Sequence, residues 1–328
     1  MASRRGERDD HSGFDRPGKR SRPRTKDRPD YSDAPLGRVV GIDRGRYQVR
    51  SLADGTDLTC TKARRLGRTG VIVGDEVRLD GDVSGDEGTL ARIVEVAERR
   101  TVLRRTADDT DPYERPIVAN ADQLVIVTAL ADPPPRTGMI DRILVAAYEA
   151  GVTPLLCLTK ADLADPAELL ALYEGLDIPV FPTRPDGDID ALQAQLRDRV
   201  SVLVGHSGVG KSTLVNRLVP GIDRAVGHVN AATGRGRHTS TSAVALPLPD
   251  GDGWVIDTPG VRSFGLSHVT PDKLIAAFPD LAAVTVDCPR GCEHQDHSPE
   301  CALDGAVQRG EISASRLVSF RRIELSAH

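Results

Sequence analysis

Residues Gly205-His206-Ser207-Gly208-Val209-Gly210-Lys211-Ser212-Thr213 constrain this chain more than any other stretch. They follow an apolar run, Ser201–Val204, that reads as a buried strand, and they lead into a helical pattern over Thr213–Val219. Glycines at such a turn let backbone N–H groups wrap a phosphate chain, and the new helix points its positive end at the same phosphates. Lys211 is placed to neutralise the β- and γ-phosphates, and Ser212 to ligate magnesium.

A second element follows 45 residues after Ser212, where the apolar strand Trp254–Ile256 ends in Asp257-Thr258-Pro259-Gly260. Beside a phosphate loop, Asp257 suits a magnesium held through water and the Gly260 amide suits a γ-phosphate sensor. Between the two lies Gly234-Arg235-Gly236-Arg237-His238-Thr239-Ser240-Thr241, polar enough for a mobile loop. Thr239 or Thr241 is expected to close over the magnesium.

A guanine-selecting motif is absent after Gly260. Instead Thr159-Lys160-Ala161-Asp162 ends the apolar strand Val152–Leu158, ahead of the phosphate loop. A carboxylate at Asp162 can accept from the guanine ring N–H and amino group, which adenine does not offer, while the Lys160 stem can lie over the base. The order base loop, phosphate loop, switch loop, Asp-x-x-Gly is a circular permutation of the usual GTPase chain. A parallel sheet tolerates it because every one of these loops leaves the same carboxyl edge.

The surroundings fit that sheet. Strand patterns at Leu124–Leu130, Val152–Leu158 and Ile178–Phe181 alternate with helical patterns over Thr137–Ala150, from Asp165-Pro166 onward, and from Asp190 to about Arg199. Val244–Leu248 and Trp254–Ile256 read as a hairpin turned at Pro249-Asp250-Gly251. Upstream, five short β-rich runs between Leu36 and about Val96 fit a small barrel of the OB type. Lys62, Arg64, Arg65 and Arg68, with Arg99, Arg100, Arg104 and Arg105, form two basic clusters that could grip a nucleic-acid backbone or serve as plain surface charge. Residues 1–33 carry 10 Lys+Arg and 7 Asp+Glu with almost nothing apolar, and they read as a disordered basic tail.

Cys288, Cys292, His294 and Cys301 form a closed Cys3His set expected to hold one structural zinc, with His297 as the other candidate for the nitrogen ligand. Cys60 and Cys157 read as core residues. Five cysteines in 328 residues are no disulfide scaffold, and no apolar run approaches the ~20 residues of a membrane span. A cytoplasmic protein with no membrane partner is expected.

The combination resembles the ribosome-small-subunit-dependent GTPase A family of circularly permuted GTPases. The resemblance runs over about residues 36–328. It rests on Val73-Gly74-Asp75-Glu76-Val77, Ala119-Asn120-Ala121-Asp122-Gln123, GHSGVGKST, GRGRHTST, DTPG, the Cys/His cluster and Gly310-Glu311-Ile312-Ser313. It implies a multidomain chain: a tail at 1–33, an OB barrel at 34–100, a permuted α/β P-loop GTPase domain at 101–268 and a mostly helical zinc domain at 269–328. It also implies a monomer that binds the small ribosomal subunit and its rRNA late in assembly. Its GTP hydrolysis would be stimulated by the subunit and coupled to release.

Two features depart from the family pattern. Thr159 stands where the family usually has Asn, and the cysteine spacing is C-x3-C-x-H-x6-C instead of C-x4-C-x-H-x5-C. Val261 follows the Asp-x-x-Gly loop, where many GTPases carry a water-positioning glutamine. An apolar side chain cannot orient water, so slow intrinsic hydrolysis is expected, with His238 as the candidate for the missing group. Because Asp257–Gly260 leads directly into the zinc domain, the γ-phosphate state is expected to move that domain relative to the rest.

Overall fold

Short alternating runs separated by glycine turns become five strands: β1 (Leu36–Asp43), β2 (Arg46–Ser51), β3 (Asp57–Lys62), β4 (Glu76–Gly81) and β5 (Ala91–Val96). The computed structural model describes residues 30–67, 70–105, 114–221, 243–251, 253–258, 266, 269–296 and 298–325. The five strands close into a barrel in the order β1-β2-β3-β5-β4. All pairs are antiparallel except β3 with β5, and a single 3-10 turn at 64–66 joins β3 towards β4. Val39, Val49, Leu58, Cys60, Val77, Leu79 and Ile93 fill the interior. This is the expected OB-type barrel.

A hairpin of β6 (Val102–Arg105) and β7 (Arg115–Ala119) leads into a six-stranded sheet. Its elements are β8 (Gln123–Ala129), α1 (Thr137–Glu149), β9 (Thr153–Thr159), α2 (Ala167–Ala171), β10 (Val180–Pro182), α3 (Asp190–Leu196), β11 (Arg199–Val204), α4 (Lys211–Leu218), β12 (Val244–Pro247) and β13 (Gly253–Asp257). The strand order is β10-β9-β8-β11-β13-β12, with only β12 antiparallel to its neighbour. The central strands β8, β9 and β11 are apolar along almost their whole length because both faces are covered.

Three local readings shift. The helix expected to run to about Arg199 stops at Leu196, since Asp198 turns the chain with φ 56° and β11 already starts at Arg199. The helix after the phosphate loop starts at Lys211, two residues earlier than its apolar pattern, because Gly210 caps it with φ 88°. Asp165 sits one residue before the N-cap of α2, yet its carboxylate still accepts from the Ala167 N–H at 2.9 Å.

The C-terminal helices are α5 (Pro271–Ile275), α6 (Pro279–Thr285), α7 (Ala302–Gln308) and α8 (Ala314–Leu325). They share one apolar core with α1: Phe278, Leu281, Phe320 and Ile323 pack with Ile143, Leu144 and Tyr173. Phe278 and Phe320 are fully buried, and each such side chain contributes about 1.5–3 kcal/mol. Helix α8 also docks by polar contacts. Arg316 donates to the Gly175 carbonyl and to both Asp280 oxygens, Ser319 to the Leu172 carbonyl, and Arg322 pairs with buried Asp141 at 3.2 Å.

The barrel meets the sheet at the amino ends of its strands. Asn120 donates to the Gly74 carbonyl at 3.1 Å, Arg99 chelates Asp75, and Arg100 pairs with Asp122, which also accepts from Val200 N–H. A Cβ at Gly74 would lie 2.1 Å from the Ala119 carbonyl oxygen, so only glycine fits. The two motifs Val73–Val77 and Ala119–Gln123 are thus the junction between barrel and sheet. Residues 34–328 form one unit by internal contacts. In the other, residues 1–33, the described residues 30–33 make a turn in which Asp30 accepts from Ser32 N–H. Among the described residues no helix is long and apolar enough to cross a membrane.

Candidate active site and metal centre

β10, β9, β8, β11 and β13 run parallel, so their carboxyl ends share one edge of the sheet. The loop after β11 is the phosphate loop. Gly205 is required by close approach, since a Cβ there would sit 2.4 Å from the Val127 carbonyl oxygen of β8. Gly208 and Gly210 hold φ values of 86° and 88°, which strain any other residue. Val209 between them is buried and anchors the loop in the core. Ser207, Gly208 and Thr213 are exposed, while Gly205, His206, Gly210, Lys211 and Ser212 are half-buried. His206 turns its Nδ1 onto the Ser207 carbonyl at 2.7 Å.

Asp257 ends β13 next to Leu203 of β11 and is 4% exposed. Its carboxylate accepts from Lys211 Nζ, so the lysine of the phosphate loop and the acid of the second motif meet. Thr258 Oγ1 donates to the Leu203 carbonyl at 2.8 Å and pins the start of the following loop. A hydroxyl at Ser212 and a carboxylate at Asp257, both oxygen donors, suit magnesium. Thr239, Thr241, His238, Gly260 and Val261 lie outside the described residues.

The base loop leaves β9 beside the loop after β8. Lys160 has φ 54° and donates its ammonium to the Asp132 carbonyl. Asp162 is exposed and Ala161 half-buried. Thr159 is buried, and its hydroxyl donates to the Val209 carbonyl at 2.5 Å. It therefore ties base loop to phosphate loop. Thr183 follows β10 and is buried. Its N–H donates to the Leu158 carbonyl at 2.7 Å and its carbonyl accepts from Ala161 N–H at 3.1 Å, so it supports the base loop from the far side. No sequence signal marks it, because its partner is known only once β10 is placed against β9.

In the Cys/His cluster the ligand atoms of Cys288, Cys292, His294 and Cys301 all lie within 4.8 Å of one another. His294 Nδ1 is 3.6 Å from Cys288 Sγ and 3.9 Å from Cys301 Sγ. Tetrahedral zinc with bonds of about 2.1–2.3 Å sets ligand atoms about 3.5–3.8 Å apart, so the set fits zinc. Burial holds the His294 imidazole below its ordinary pKa, in the neutral form a ligand needs. The Ala302 N–H points at Cys288 Sγ at 3.3 Å. Arg321 donates to the His294 carbonyl at 2.8 Å and is held by Asp304 and Asp296. His297 lies outside the described residues.

The basic clusters of the barrel region divide. Arg99 and Arg100 are spent on Asp75 and Asp122, and Arg65 donates to the Val94 carbonyl at 2.6 Å. Arg64 and Arg104 are exposed, as are Arg44, Arg46 and Arg92 outside those clusters, and Arg68 lies outside the described residues.

Comparison with known proteins gives a consistent picture. A profile described as RsgA GTPase matches residues 96–267. A relative from Chromohalobacter salexigens, "Small ribosomal subunit biogenesis GTPase RsgA", is 38% identical over 90% of this chain and 86% of its own. One of the same name from Ectopseudomonas mendocina is 41% identical over 79% of this chain and 76% of its own. Among solved structures, YjeQ from Thermotoga maritima aligns with TM-score 0.65 and 28% identity, covering 89% of this chain and 97% of that one. YloQ, described as a circularly permuted GTPase, shares the fold with TM-score 0.64 at 24% identity, over 90% of this chain and 95% of its own.

Proposed function

The chain belongs to the RsgA GTPase family, and from that premise we propose that it is a GTP hydrolase of small ribosomal subunit biogenesis. The observation that carries this reading is the meeting, at one sheet edge, of the Lys211–Asp257 pair and a base loop tied through Thr159 to Val209. GTP and GDP are the ligands, with guanine on Asp162 and Lys160 and the phosphates in the loop Gly205–Thr213.

Lys211 neutralises phosphate charge, and the loop amides hold the γ-phosphate for in-line attack. Ser212 and Asp257 would hold magnesium, which offsets the charge developing on the phosphate oxygens. Thr239 or Thr241 closes over that site and Gly260 senses the γ-phosphate. His238 orients the attacking water in place of the glutamine that Val261 lacks. The Cys3His set takes one structural zinc. Domain limits of 34–100, 101–268 and 269–328 belong to the same reading.

The finer reading is a cytoplasmic monomer that contacts rRNA through exposed barrel arginines such as Arg46 and Arg92, and leaves the subunit after hydrolysis. Arg92 faces Thr61 on the outer side of β3–β5, as a backbone-gripping OB surface requires. The test is GTP hydrolysis with and without purified small subunits, with ATP as control. Strong stimulation with GTP alone supports the reading, and its loss in His238→Ala with GTP binding intact supports the role of His238. Absence of stimulation despite subunit binding overturns subunit-activated turnover.

A further inference from the structure

Arg217 lies in the last turn of α4, the helix that begins with Lys211 and Ser212. Its guanidinium reaches the loop after β10. Its Nη1 donates to the Arg184 carbonyl at 2.8 Å, and its Nη2 donates to the Gly187 carbonyl. Those two carbonyls belong to one turn, since Gly187 N–H returns to the Arg184 carbonyl at 3.4 Å. The residue before the turn is Thr183, whose carbonyl accepts from Ala161 N–H. Ala161 adjoins Asp162. A path of hydrogen bonds and adjoining residues therefore runs from the phosphate-loop helix through Arg217, the 184–187 turn, Thr183 and Ala161 to Asp162.

A planar guanidinium suits this task because it donates to two carbonyls at once with fixed geometry. Position matters as much as strength. β10 is the edge strand of the sheet, so the loop after it has no further strand to brace it. Thr159 already ties the inner end of the base loop to Val209. Arg217 supplies the second, outer tie.

We propose that Arg217 is a positioning residue for guanine recognition, acting through the 184–187 turn and Thr183 to hold Ala161 and Asp162 in place. The inference rests on the nucleotide reading above and extends it to a residue that touches no nucleotide. Its signature is selective. Loss of Arg217 lets Asp162 drift, so the preference for a base with an exocyclic amino group shrinks. A purely structural arginine would weaken every nucleotide alike.

The test is displacement of a fluorescent GDP analogue by GDP and by IDP, which lacks that amino group, using the full chain. In Arg217→Ala, GDP affinity is expected to fall about tenfold, the scale of one lost charge-assisted hydrogen bond, while IDP affinity changes less than about threefold. Arg217→Lys, which keeps the charge but not the fork, is expected to fall between, and it carries the test should Arg217→Ala fail to fold. Equal losses for GDP and IDP, or no loss, overturn the inference while leaving GTP binding standing. A wild-type chain that binds no GDP overturns the nucleotide reading and this inference with it.

Discussion

Thr159 Oγ1 donates to the carbonyl oxygen of Val209 at 2.5 Å, joining the base loop to the phosphate loop across 50 positions of sequence. The hydroxyl also lies 3.3 Å from the Thr128 carbonyl of the intervening strand. A threonine in place of the family's asparagine thus serves as a buried clasp between the two loops. Thr159→Val keeps the shape and removes the donor, leaving a buried carbonyl unpaired at about 1–3 kcal/mol. GDP affinity measured by titration should fall about tenfold, whereas Thr159→Asn, able to donate to the same carbonyl, should retain it.

The Lys211–Asp257 pair predicts a different pattern. Counted on side-chain atoms alone, Lys211 is 12% and Asp257 6% exposed. Removing one partner deprives the other of its buried ion pair, a loss of about 3–5 kcal/mol in such pairs, whereas removing both does not. Lys211→Met and Asp257→Leu should each lower the denaturant midpoint strongly, and the double variant should recover much of it. All three should lose GTP hydrolysis. A double variant as unstable as the sum of the singles would mean that the two groups do not interact.

The phosphate loop, the base loop and the Cys/His set were legible in the sequence because each is a local pattern with obligatory residue types. Gly205, Gly208 and Gly210 cannot be exchanged, and Cys288, Cys292, His294 and Cys301 fall within 14 residues. Their supports were not legible. Thr183 and Arg217 act through strand neighbours that exist only once β10 lies on β9. Arg99 and Arg100 read as surface charge until the barrel docks and Asp75 and Asp122 claim them. The helix α8 is similar: nothing in its sequence distinguishes Arg316, Arg321 and Arg322 from solvent-facing arginines, yet all three turn inward to named partners.

Zinc removal gives a third expectation. The purified chain should carry about one zinc per molecule, released by a thiol-modifying reagent and reported by a colorimetric chelator. Cys301→Ser and His294→Ala should lower the zinc content well below one. Loss of the ion frees the segment 288–301, and with it the contact of Arg321 to the His294 carbonyl, so the melting temperature should drop by several degrees. Full zinc content in His294→Ala would exclude His294 as a ligand and leave His297 to be tested.

The docking of α8 on the sheet domain gives the last. Gly175 is the point of closest approach, since a Cβ there would sit 2.6 Å from Arg316 Cα and N. Gly175→Ala must push the helix away, and it should cost about 1–3 kcal/mol by overpacking. Arg316 also holds Asp280, and that hydrogen bond sets the Asp280 carboxyl below its ordinary value of 3.8. A carboxyl depressed in the folded chain adds stability above its unfolded pKa and loses it as pH falls through the folded one. Asp280→Asn should therefore be less stable than wild type at neutral pH, with the gap closing below about pH 3.8. In Arg316→Ala the acid-side closure should vanish, because Asp280 then titrates normally. If hydrolysis moves the zinc helices against the sheet, as the closeness of Asp257 and α5 in sequence invites, these contacts must break in each cycle. Gly175→Ala should then speed release from the small subunit, measured by nucleotide-triggered dissociation. Unchanged release would mean that α8 and the sheet move as one body and that the switch acts through the barrel.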